Sequence, residues 1–190
     1  MKTDIILAGV GGQGILSIAT VIGEAVMNEG LYIKQAEIHG MSQRGGSVES
    51  SLRISSEPIY CDLIAEGTAD VIISLEPMEA LRYTPYLSPE GWIITSSNLF
   101  ANVPDYPEAE TLATELAKYP NVIQIDVDAL AIENNMRKSG NMILLGAASK
   151  ALGFDYALLE KAVATVFASK GQEIVDMNIK ALAVGLNNAK

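Results

Sequence analysis

One cysteine, Cys61, occurs among the 190 residues of this chain. That excludes an intrachain disulfide and any iron–sulfur cluster held by four thiolates of this chain alone. The chain therefore has no electron-carrying centre of its own. Histidine is equally scarce, His39 standing alone, and no apolar run reaches the roughly 18 residues of a membrane span. Charge is sparse and one-sided: 19% of the residues are charged and the formal net charge is −10. Phosphate backbones and anionic lipid surfaces are repelled by such a surface, so neither nucleic acid nor membrane is an expected partner. The opening MKTDIILAGVGGQG has Asp4 and glycines where a signal peptide would carry its apolar segment, and a cytoplasmic location is expected. With no histidine or group of Lys and Arg adjacent in sequence to lower its pKa, Cys61 reads as a small buried apolar residue beside Tyr60 and Leu63.

What is abundant is apolar surface, 49% of the residues, enough for a sheet covered by helices on both faces. Ile5-Ile6-Leu7-Ala8 is a short continuous apolar run closed by glycines, the mark of a central strand. A helix follows, with Ile15, Ile18, Ala19, Ile22 and Val26 at helical spacing and Gly30 as its stop. Leu31 to Ile38 then reads as a second strand, completing a βαβ opening. From Ser47 to Ile54 apolar and polar residues alternate, which predicts an antiparallel strand in a mixed sheet. Strands at Val71–Ile73, Trp92–Ile94 and Val122–Ile125 alternate with helices near Glu76–Tyr83 and Glu108–Lys118. From Asp128 onward the pattern is helical, with Asp128, Asn141 and Asp155 as candidate N-caps and Gly140, Gly153 and Gly171 as breaks. These helices are expected to pack over the sheet. The fold class that results is α/β: one three-layer α/β/α domain over residues 1–190 with a mixed, mostly parallel, Rossmann-like sheet. Ser96 to Pro107 is the longest loop, placed to close over a site or a partner.

Two segments carry chemistry. Gly9, Gly11 and Gly14 have GxGxxG spacing between a strand and a helix, where glycine allows close backbone approach and the helix start offers free N–H groups to an anion. Glu37 falls where a dinucleotide-binding domain keeps its ribose-binding acid. The second segment, EIHGMSQRGGSVESSLRIS, is denser in polar residues and glycine than a connector requires. Arg44 offers a planar fork of donors for carboxylate or phosphate, and Gly45 and Gly46 let backbone N–H groups approach the same anion. His39 is read as fixing the loop through its ring rather than as an acid or base, because no Ser, Cys or Asp partner is evident. Glu76, Pro77 and Glu79 read as helix-start residues favoured by the dipole, and Met136 and Met142 as ordinary packing.

The glycine turn GVGGQGILS, the loop HGMSQRGGSV, the segment SLEPMEALRY and the later NMILLGAASKALG, in this order and over nearly the whole chain, resemble the gamma-type domain of the 2-oxoacid:acceptor (pyruvate ferredoxin) oxidoreductase family. The HGMSQRGG loop is most similar to the small (beta) subunit of its indolepyruvate ferredoxin oxidoreductase branch; pyruvate and 2-oxoglutarate relatives tend to have an acid where Gln43 stands. The resemblance implies coenzyme A-dependent oxidative decarboxylation of aryl 2-oxoacids, with electrons passed to ferredoxin through the complex. It implies also that thiamine diphosphate and the iron–sulfur clusters lie on a large partner subunit. Here no GDG precedes the Asn134-Asn135 pair as a thiamine diphosphate motif would require. The chain alone is expected to bind no cofactor and no metal and to be inactive, with coenzyme A as co-substrate of the complex. Carried over onto matching positions, the binding residues are Gly9, Gly11, Gly12, Gln13, Gly14, His39, Gly40, Met41, Gln43, Arg44, Gly45 and Gly46, with no catalytic residue among them. The rival reading is a free-standing NAD-type dinucleotide-binding or sensor domain, resting on the glycine turn and Glu37. A pure scaffold is a third.

Overall fold

The computed structural model describes residues 1–39 and 45–189, and of His39 the backbone alone. Six strands form one sheet in the order β2-β3-β1-β4-β5-β6. They are β1 (Lys2–Val10), β2 (Tyr32–His39), β3 (Ser47–Ser55), β4 (Ala69–Ser74), β5 (Leu87–Ser96) and β6 (Val122–Ile125). β1, β4, β5 and β6 run parallel, while β3 is antiparallel to both β1 and β2. The expected βαβ opening is therefore split: β2 runs the same way as β1 but is separated from it by β3.

One face of the sheet carries α1 (Ile15–Asn28), α4 (Val127–Glu133), α5 (Gly140–Ala148), α6 (Tyr156–Phe167) and α7 (Gln172–Asn188). The other carries α2 (Pro77–Arg82) and α3 (Ala109–Leu116). In α1 the stripe read from the sequence is buried as a unit, Ile18 and Ile22 completely. Side chains of that size contribute about 1.5–3 kcal/mol each on burial. α1 ends where Gly30 takes a left-handed φ of 69°. The sheet's central strands, buried on both faces, keep Ile5, Ile6, Leu7, Ile72 and Ile73 at or below 1% exposure, which is why their sequence is continuously apolar rather than alternating. α5 and α7 meet backbone to backbone. A Cβ on Gly185 would lie 1.8 Å from the Ile143 carbonyl oxygen, and one on Gly146 2.0 Å from that of Leu182.

Three local expectations are corrected. Asp126, not Asp128, caps α4, its side chain accepting from the Ala129 N–H at 2.9 Å. Ser139, not Asn141, stands at the N-cap of α5; Asn141 lies inside the first turn, where its Oδ1 accepts the Met142 N–H at 3.0 Å, whereas Asp155 does cap α6. Cys61 is exposed, as are Tyr60 and Leu63 at 91% and 62%. The cause is Arg53: its guanidinium pairs with the buried Asp4 at 2.9 Å and donates to the Cys61 and Leu63 carbonyls at 3.1 and 3.2 Å. The irregular segment is thus held to the sheet by its backbone, and its side chains are left in solvent.

Candidate functional site

The parallel strands β1, β4, β5 and β6 end together on one edge of the molecule, where open α/β sheets bind ligands. The glycine turn joins β1 to α1 there. Gly12 and Gly14 have φ of 104° and 89°, left-handed values that side-chain-bearing residues adopt only with strain. Gln13 folds back over the turn, its Oε1 accepting the Val10 N–H at 2.7 Å and its Nε2 donating to the Leu75 carbonyl at 3.4 Å. Gly9 has to be glycine for this: a Cβ there would come within 2.8 Å of the Gln13 oxygen. Among the described residues no side chain caps the start of α1. Instead Asn141 of α5 donates to the Gly14 carbonyl at 3.1 Å, tying the two helix starts together.

The two glycine segments flagged in the sequence also meet. Gly11 N–H donates to the Gly46 carbonyl at 2.8 Å, and Gly45 N–H to the Gly11 carbonyl at 3.3 Å. Gly45 has a φ of 77°. Gly40, Met41, Gln43 and Arg44, and the His39 ring, lie outside the described residues.

Beside the turn opens a cleft of about 1020 Å³, with Gly12, Gln13 and Gly14 on one wall. A second part of the lining, which sequence reasoning missed, comes from the helical half and carries Arg137, Lys138 and Lys170. Among the described residues one acid, Asp128, lines the same space, so the cleft collects cations in a chain whose net charge is −10. Lys170 Nζ lies 5.1 Å from the centre of the Phe167 ring, within cation–π range. Asn135, at the end of α4, takes a left-handed φ of 56°, a conformation asparagine tolerates better than most residues. A usable signal was present: Arg137 and Lys138 stand just before α5, where the helix dipole disfavours cations.

The third wall is loop 97–108, which contributes Leu99 and Phe100, each 44% exposed. Asn102 of this loop donates to the Gly45 carbonyl at 2.9 Å, linking it to the glycine segments. Underneath sit Glu76 and Glu79, at 0% and 1% exposure. They are more than helix-start acids. Glu76 caps α2 by accepting the Glu79 N–H at 2.8 Å and also accepts the Tyr106 hydroxyl. Burial pushes the Glu76 carboxyl above its ordinary range, opposed by its bonds from Tyr106 and from the backbone of Glu79 and Phe100. Burial, and then the bond to Glu76, raises the Tyr106 phenol in turn. Glu79 accepts from Ser47 at 2.6 Å and from Arg82 at 3.1 Å, the first of these reaching the start of β3 just beyond Gly46.

Glu37 lies on edge strand β2, opposite Ser50 of β3, which is itself opposite Leu7 of β1. Two inter-strand spacings, about 10 Å, separate it from β1. A dinucleotide-binding domain needs that acid on the strand next to β1, so the insertion of β3 removes the main support for the NAD-type rival.

Among the described residues no group of three or more His, Cys, Asp and Glu could hold a metal ion, and no helix is long and apolar enough to cross a membrane. Cluster ligation by four thiolates does not fit a chain with one cysteine. The family model for pyruvate ferredoxin/flavodoxin oxidoreductase matches residues 4–188. The indolepyruvate oxidoreductase subunit IorB of Archaeoglobus fulgidus is 37% identical, the match covering 100% of this chain and 96% of that one. The subunit of the same name from Pyrococcus horikoshii is 35% identical over 98% and 96%. Among solved structures, 2-oxoglutarate:ferredoxin oxidoreductase from Magnetococcus marinus, with 2-oxoglutarate, coenzyme A and succinyl-CoA bound, superposes with a TM-score of 0.76 at 22% identity, over 99% of this chain and 31% of that one. That likeness is one of fold. The full-length sequence matches go further: the chain belongs to the pyruvate ferredoxin/flavodoxin oxidoreductase family, as a small gamma-type member.

Proposed function

We propose that this chain, acting as one cytoplasmic domain over residues 1–190, is the small subunit of an indolepyruvate-type 2-oxoacid:ferredoxin oxidoreductase whose cleft receives the anionic part of coenzyme A. In this reading a larger partner holds thiamine diphosphate and the iron–sulfur clusters, decarboxylates the aryl 2-oxoacid and passes electrons to ferredoxin. The observation that carries it is the match with indolepyruvate oxidoreductase subunits over essentially the whole chain. The cleft supports the choice of ligand. Arg137, Lys138 and Lys170 line the cleft together with the glycine turn, and the starts of α1 and α5 open onto the same space. Free N–H groups and the positive ends of two dipoles suit phosphate. Apolar neighbours such as Leu99 and Phe100 suit the uncharged remainder of the ligand.

Gly9, Gly11, Gly12, Gln13, Gly14, Gly45 and Gly46 are assigned to shaping this wall, and His39, Gly40, Met41, Gln43 and Arg44 to the loop between them. Arg44, adjacent in sequence to Gly45, brings a guanidinium to the same anion in this reading. None is assigned a chemical step. The test is to purify the chain from native cells, identify what accompanies it, and assay the pair with indolepyruvate, coenzyme A and ferredoxin. Turnover by the pair and none by the chain alone is expected. Recovery of the chain without a larger partner, together with tight NAD binding, would reverse the conclusion in favour of the rival.

A further inference from the structure

Loop 97–108 is not held by its apolar residues. Leu99, Phe100 and Val103 stay 43–44% exposed, and the loop is anchored by polar bonds: Tyr106 to Glu76 and Asn102 to the Gly45 carbonyl. Glu76 is completely buried. Keeping a carboxylate out of water is costly where an apolar residue could pack, and what a directional bond adds is a defined position for the group it holds. Glu76 directly follows Leu75, which lines the cleft and whose carbonyl accepts from Gln13 of the glycine turn. A single buried carboxyl thus connects the turn, the start of α2 and the loop that bears the apolar lip.

We infer that Glu76 and Tyr106 are positioning residues, a latch that sets where Leu99 and Phe100 stand over the cleft and thereby how tightly the cleft holds its ligand. This rests on the cleft being the coenzyme A site. Tyr106→Phe deletes only the hydroxyl, and Glu76→Gln keeps the shape and an acceptor oxygen while removing the charge, so both variants are expected to fold. Hydrogen exchange on the full chain without ligand reads the latch directly: amides of residues 97–108 should exchange faster in both variants, and more so in Tyr106→Phe. In the reconstituted complex, the KM for coenzyme A should rise by roughly 5- to 10-fold in Tyr106→Phe, the size of effect expected when one typical hydrogen bond is lost. kcat should stay within about twofold, and Glu76→Gln should show a smaller rise because its amide oxygen still accepts.

Unchanged exchange in Tyr106→Phe overturns the inference. So does faster exchange with an unchanged KM for coenzyme A when Lys170→Ala in parallel does raise it, and so does a fall in kcat at constant KM. If Lys170→Ala and Arg137→Ala leave that KM untouched, it is the coenzyme A reading that has failed. The same exchange measurement then decides the latch by itself, faster exchange confined to residues 97–108 upholding it.

Discussion

The two faces of the sheet follow different rules. Over one, α1 and α4 to α7 bury a continuous apolar cluster running from Ile5 to Leu182. Over the other, α2, α3 and the segment before β4 enclose a much smaller cluster around Ile6, Ile72 and Ile93. The buried carboxylates among the described residues, Asp4, Glu76 and Glu79, belong to the thin side. The thick face uses undirected apolar contact and close backbone approach, which supply stability. The thin face uses directed ionic and hydrogen bonds, which fix positions: Asp4 with Arg53 holds the segment through Cys61 and Leu63, and Glu76 and Glu79 hold Tyr106, Ser47 and Arg82. One face stabilises the fold; on the other, Glu76 and Glu79 arrange the rim of the site, while Asp4 fixes a segment near the opposite end of β1.

The most severe way to break that division is Gly185→Ala. With backbone 1.8 Å from the new Cβ, α5 and α7 must separate, and a loss of about 3 kcal/mol or more is expected in urea unfolding. A loss under about 1 kcal/mol would show that the thick face is not close-packed there. On the thin face Asp4→Ala strips Arg53 of its carboxylate. Removing one partner of a buried pair costs about 3–5 kcal/mol; with the Arg53 side chain 22% exposed and able to recruit water, about 2 kcal/mol is expected, together with faster proteolysis near Cys61. Stability loss without that local opening would count against a positioning role.

A third measurement separates the cleft from both faces. Arg137→Ala and Lys170→Ala, at exposed positions, should leave unfolding within about 0.5 kcal/mol of the parent while raising the KM for coenzyme A by roughly 3- to 10-fold, an effect that weakens as salt is added. Destabilisation without a KM effect would make these cations structural.

The pH dependence of stability sharpens the contrast further. Because burial raises the Glu76 carboxyl above its ordinary value of 4.5, the folded state binds a proton more tightly than the unfolded one. Its contribution is then fully present below that value and is lost as pH rises through the higher folded one. Glu79, Arg82 and Tyr106 are the ionisable groups that interact with it among the described residues. Glu76→Gln should remove this fall, so that its unfolding free energy, compared with the parent's, declines less steeply above pH 4.5; parallel curves would refute the assignment. The smallest effect is expected at Tyr156, whose buried hydroxyl has no partner among the described residues and whose pKa burial raises to about 12. Tyr156→Phe relieves an unmet hydrogen bond and should stabilise by about 0.5–1 kcal/mol; a clear loss would mean the hydroxyl is solvated after all.

Much of the architecture was legible because it depends on local pattern. The apolar run Ile5–Ala8 and the α1 stripe each report burial within one element and appear where the pattern puts them; β3 is a strand where the alternation puts it, with Leu52 and Ile54 buried, although Ser50 and Ser51 are buried too. The antiparallel character of β3 was readable for the same reason. Errors arose where a residue's environment is set by distant parts of the chain. Cys61 looked like a core residue until Arg53, placed by β3, took its carbonyl. Asp128 looked like a cap, yet Asp126 reaches the Ala129 N–H. Glu76 and Glu79 read as helix-start acids favoured by the dipole, and packing beneath loop 97–108 buries them and gives them further partners.

The glycine turn shows the same division within one motif. Its spacing alone marks a close backbone approach between a strand and a helix, because only glycine accepts the φ of Gly12 and Gly14 without strain. Strand order decided what that turn faces. With β3 between β1 and β2, Glu37 lies two strands away from β1, and the space beside the turn is closed instead by Asn141, Lys170 and Phe100, drawn from three separate elements. Periodicity and turn chemistry act over a few residues and are written in the sequence. The pairing of strands and the meeting of α1, α5 and loop 97–108 depend on chain segments up to 127 residues apart, as in the bond from Asn141 to Gly14, and only the folded molecule determines them.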